Sequence, residues 1–266
     1  METKPEFDLT DILKAVGKNI EKLNIRIDER IKKVTGLPGN INNFTYPKGN
    51  YNQYPDMWNY FDTALKCIPK YATMRPHLDC LKIYKTVWFK KGVTHQNMDT
   101  FPGGPAAFNE KDGASLLSLP CGQTAETDNP YKYNINLFEF PVNAKVSKHV
   151  IEIYMIYVIL HELAHVYSLV PLKTKDKHKY VLENGENAKD YINNFDKFIE
   201  KYGPFGEYTE KYNKNNKEWL DENWADASAA YFMGFIMHQR LDFKPLPKPV
   251  AEYLHTFYNS KVIIDR

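Results

Sequence analysis

From Val150 to Leu160 the chain reads VIEIYMIYVIL, with Glu152 its one charged residue, and it runs without a break into HELAH at 161–165. A helix apolar on nearly every face has to be surrounded by protein, so the rest of the fold must be built around this segment. The apolar stretch falls well short of the roughly 20 residues a membrane span needs, so a core helix and no membrane span are expected. Its start is expected near Ser147, and Pro171 is expected to fix its end. Two imidazoles and a carboxylate on such a helix are costly unless they are bonded to something.

HELAH sets His161 and His165 four residues apart, so one helical turn brings both rings to the same face, where they can bind one cation. Glu162 points along the same cleft as a candidate general base. Neutral imidazole nitrogens suit zinc, and a catalytic zinc takes three protein ligands and keeps a fourth position for water. Two histidines are therefore too few. A third histidine in an HExxHxxGxxH run would need Gly at 168 and His at 171, where this chain has Ser168 and Pro171. The later segment DENWADASAAYF instead sets Glu222 and Asp226 at i and i+4, two carboxylates on one helical face among small residues that permit close helix packing. Spacing alone leaves open which of them is a ligand, or whether both are surface charges.

HELAH followed by ENWAD resembles the gluzincins, a family of zinc metallopeptidases. The flanking order adds to the likeness. A helix from Asp56 ends at Ile68-Pro69, and a β-branched and aromatic strand follows at 81–89. Gly103-Gly104 opens a hairpin over 103–119, a strand at 134–140 comes next, and then the two helices. Small gluzincins and domains like the anthrax lethal-factor catalytic domain share this order, which covers about residues 56–240. The resemblance implies an α+β, zincin-like fold: a small, twisted, mostly antiparallel sheet with an active-site helix, followed by a helical C-terminal lobe. It implies Zn2+ held by His161, His165 and Glu222, with Asp226 behind a zinc-binding histidine and Glu162 as general base. A carboxylate accepting the far N–H of a ligand ring fixes its tautomer and raises its basicity.

Two departures from the family's pattern stand out. His165 and Glu222 are separated by 56 residues, a long spacer that suggests an inserted cap over the cleft. Lethal-factor-like members carry a tyrosine seven residues before the third ligand, and here that position is Asn215. Tyr212, Tyr208 and His178 are candidates to stabilise an oxyanion in its place, with Tyr180 a further one, although packing within the cap is the simpler reading of each.

The remaining sequence frames these motifs. Residues 1–35 carry apolar positions at helical spacing and read as an amphipathic helix, 36–55 as an irregular connection, 56–171 as a zincin lobe, and 172–266 as a helical lobe holding the cap. Within the last, helices are expected over 191–202, 218–240 and 251–258. A net charge of +2 supplies no field to gather phosphates, so no nucleic acid is expected. Three cysteines without CxxC spacing read as buried thiols. The acidic start, Met1 to Glu6, shows no signal peptide, so a cytoplasmic location is expected, with leaderless export left open.

The expected activity is hydrolysis of a peptide or protein substrate, with Ala114–Leu119 or Asn134–Phe140 as a sheet edge that takes the substrate as an added strand. The alternative is a catalytically silent zinc-binding structural or interaction protein on the same fold. Glu162, which does not bind metal, stands where only chemistry requires a carboxyl.

Overall fold

The structure is a computed structural model, and it describes residues 48–49, 53–68, 78–84, 122–127, 133–138, 148–173, 180–206, 209, 214–215, 218–234 and 245–260. The expected N-terminal helix, the hairpin over 103–119 with its Ala114–Leu119 edge, and the candidates His178, Tyr208 and Tyr212 lie outside the described residues. The described strands are β1 (Lys48–Gly49), β2 (Leu78–Tyr84), β3 (Gly122–Glu126) and β4 (Tyr133–Phe138). The helices are α1 (Pro55–Cys67), α2 (Lys148–Lys173), α3 (Ala188–Asn193), α4 (Asp196–Tyr202), α5 (Glu218–Met233) and α6 (Lys248–Asn259). Helices and a small sheet together make an α+β architecture.

The sheet order is β1-β2-β4-β3. Among the described strands only β3 and β4 pair antiparallel, while β1–β2 and β2–β4 are parallel. The described sheet is thus mixed, where a mostly antiparallel one was expected. The reason is connectivity: α1 lies between β1 and β2, and parallel neighbours need such a crossover, whereas the short link from β3 to β4 suits antiparallel pairing. The strand at Asn134 is not an edge either. β4 is flanked by β2 on one side and β3 on the other, so among the described strands β3 is the outer one on that side.

Helix α1 buries Met57, Tyr60, Phe61 and Ala64, one stripe at helical spacing, and Pro55 suits its first turn. Helix α2 buries residues around its whole girth, among them Ile153, Met155, Ile156, Tyr157, Ile159, Leu160, Leu163 and Val166. It can do so because α1, α3, α5, β3 and β4 all pack on it. It also runs past Pro171 to Lys173. Proline removes one N–H from the last turn, a small loss beside the burial of the helix body, so the expected stop at Pro171 is not where the helix ends.

The expected helix over 191–202 is two, α3 and α4, broken at Asn194-Phe195. Asn187 caps α3 by accepting from Lys189 N–H at 2.9 Å. Phe195 turns inward at the break and meets Phe198, Phe205 and the edge of Trp224. Helix α5 is buried without interruption from Asn223 to Ala230, and its small residues Ala225, Ala227, Ser228 and Ala229 let α2 approach closely. It closes at Met233, because Gly234 adopts φ 83° and returns its N–H to Ala230 O at 2.6 Å, so the helix expected to reach residue 240 stops seven residues short of it. Helix α6 begins at Lys248, earlier than the expected Ala251, with Pro249 in its first turn. No described helix is long and apolar enough to cross a membrane.

Candidate metal centre

Helices α2 and α5 bring His161, His165 and Glu222 together. The Nε2 atoms of the two histidines lie 3.0 Å apart, with the Glu222 carboxylate 3.3 Å from the first and 3.7 Å from the second. Both rings are turned by carboxylates behind them. Asp226 Oδ1 lies 2.8 Å from His161 Nδ1, and Asp221 Oδ1 lies 3.3 Å from His165 Nδ1, an ion-pair distance without hydrogen-bond alignment. With Nδ1–H given to Asp226, the His161 Nε2 lone pair faces inward.

Two N–H groups cannot face each other at 3.0 Å, so the two Nε2 atoms accommodate one proton between them at most. The remaining lone pair and the Glu222 oxygens then converge on one point. That is the electrostatics of a cation site: one atom from each of His161, His165 and Glu222 fits within 4.8 Å, and the group could hold a metal ion. His165 is buried, whereas His161 and Glu222 keep part of their surface open, which leaves a direction of approach.

The charges support each other. Burial alone would lower the histidines, but Asp226 and Glu222 outweigh it and lift His161 to about 10, while Asp221 and Glu222 raise His165. Burial likewise works to raise Glu222 and Asp221, yet the facing imidazoles, His165 foremost, hold both carboxyls below their ordinary range. Glu162 differs. Burial pushes its carboxyl up, against the pull of the two histidines and of Thr124.

Sequence reasoning named His161, Glu162, His165, Glu222 and Asp226; the structure brings His161, His165 and Glu222 around one point, sets Asp226 on His161, and buries Glu162 on the same helix as the two histidines. Sequence reasoning missed Asp221, Thr124, Tyr157 and Ser168. Ser168 Oγ donates to Asp221 Oδ1 at 2.9 Å, and the Tyr157 hydroxyl lies 3.3 Å from Asp226 O and 3.4 Å from its Oδ1. Asp221 had one signal, its place beside Glu222 at the start of α5. Gly206 was also missed: a Cβ there would overlap the Asp226 carboxylate, so the turn at 205–206 sits directly on the residue that holds His161. Phe205 N–H anchors that turn to Asn223 Oδ1 at 3.1 Å.

No known protein family, curated protein or solved structure matches this chain. The site therefore stands on its own geometry. Tyr180 is buried, and it lies near Tyr133, whose hydroxyl is pushed up to about 12 by burial, then by Asp221 and Tyr180. Asn215 is exposed.

Proposed function

We propose that this chain is a zinc-dependent metallopeptidase of gluzincin type. The observation that carries the reading is the convergence of two imidazole nitrogens and one carboxylate beside a separate, buried carboxyl that is no part of that triad. Zinc accepts this donor set, borderline nitrogens with one oxygen, and three protein ligands leave a position open. Zinc held there supplies Lewis acidity, which acidifies a water and polarises a carbonyl.

The chain's own residues would do the rest. Asp226 keeps His161 in one tautomer, and Asp221 faces His165 in the same sense. Glu162, which burial makes a stronger base than an exposed carboxylate, is suited to take a proton from water and hand it to the leaving amine. An extended peptide would lie along β3, the outer described strand, which packs against α2 at Glu162.

Metal analysis of gently purified protein, followed by incubation with a peptide library with and without chelator, tests the reading. About one zinc per chain and chelator-sensitive cleavage are expected. Zinc without cleavage would favour the silent zinc-binding protein, and absence of zinc would remove both.

A further inference from the structure

Strand β3 packs against the HELAH helix at Glu162. Thr124 Oγ1 lies 2.7 Å from Glu162 Oε2 and 3.0 Å from the carbonyl oxygen of the same glutamate. Gly122, two residues earlier and so on the same face of the strand, closes in from the other side. A Cβ at Gly122 would stand 2.6 Å from Glu162 Cγ, 2.8 Å from its Oε1 and 2.8 Å from Val158 Cγ1. The strand thus approaches as closely as a bare backbone allows, and the Thr124 hydroxyl is directed at the Glu162 carboxylate.

We propose that Thr124 is the positioning residue of Glu162, holding its carboxylate in a single direction. A glutamate side chain has three rotatable bonds and loses on the order of 1.5–2 kcal/mol of rotamer freedom when fixed, so one direction needs a specific anchor. The hydroxyl provides it. It has a single proton, and a charge-assisted bond to the carboxylate is the stronger of its two choices. A hydroxyl also suits a group that gains and loses a proton in turnover, since it can donate to a carboxylate and accept from a carboxyl. Gly122 keeps the distance short, because any side chain there would meet Glu162 Cγ and Oε1. The catalytic part of this role rests on Glu162 being the base, whereas the anchoring itself does not.

The test uses the full, zinc-loaded chain carrying 13C-carboxyl glutamate. The Glu162 Cδ resonance is assigned by its loss in Glu162→Gln. In Thr124→Val that resonance should move, and in Thr124→Ser it should return to its wild-type position. In turnover, Thr124→Val should lower kcat about 10–100-fold with KM and zinc content kept, and Thr124→Ser should stay within about threefold of wild type. Thr124→Ala carries the same readouts should valine disturb folding. A Cδ resonance unmoved in both Val and Ala overturns the proposal, as does a loss in Thr124→Ser equal to that in Thr124→Val. If the wild type binds zinc but cleaves nothing, the peptidase reading fails, and the resonance still decides whether Thr124 anchors Glu162.

Discussion

His161 presents Nδ1 to Asp226 Oδ1 at 2.8 Å, and this contact aims the opposite nitrogen at the point shared with His165 and Glu222. The bond joins α2 to α5 one turn beyond Glu222. Removing it frees the ring to turn and lowers its basicity. Asp226→Ala should weaken zinc binding about 10–100-fold, read by competition with a chromophoric chelator, with Asp226→Asn falling between.

Asp221 stands in the same relation to His165, more loosely, at 3.3 Å and braced by Ser168. Asp221→Ala should weaken zinc binding by about tenfold, less than Asp226→Ala, in the same competition assay. Equal effects of the two substitutions would contradict the difference in geometry.

The metal-free site should hold a proton that zinc displaces. The folded histidines titrate above the ordinary value of about 6.5, His161 at about 10, and only one proton fits between the Nε2 atoms. Calorimetry at pH 7.5 in buffers of different ionisation enthalpy should therefore show about one proton released per zinc, where two ordinary imidazoles would release about 0.2. The sign for stability follows. A raised histidine stabilises the metal-free fold fully below about pH 6.5, and this contribution is lost as pH rises towards 10. Thermal melts of the metal-free protein should decline over that window.

Gly206 lies against the Asp226 carboxylate with no room for a methyl group. Gly206→Ala should cost about 1–3 kcal/mol of stability by overpacking, and it should also reduce zinc affinity because Asp226 is what must move. A melt and a zinc titration on the one variant check both.

The legible part of this site was what one helix displays by itself. His161, Glu162 and His165 are read from a single turn, and Glu222 with Asp226 from the next-turn spacing on α5. Asp221 escaped because a neighbour in sequence points about 100° away around a helix, and nothing local says that two histidines on successive turns would each need a carboxylate. Thr124 and Gly122 escaped because GQTAE has little of a strand's composition, and β3 exists through its pairing with β4. The sheet's direction was misjudged because pairing depends on which strands meet across long connections, which local patterns do not encode. Helix ends went astray at Pro171 and Gly234 for opposite reasons: burial carried α2 past a breaker, and a left-handed glycine stopped α5 inside an apolar run.

In the proposed reaction Glu162 serves a metal-dependent hydrolysis without binding the metal. Zinc-loaded wild type and Glu162→Gln are incubated with the same peptide library and the products read by mass spectrometry, zinc content being measured on both. About one zinc per chain in each, and cleavage at least about 100-fold slower in the variant, are expected. Cleavage by Glu162→Gln at the wild-type rate would contradict that role.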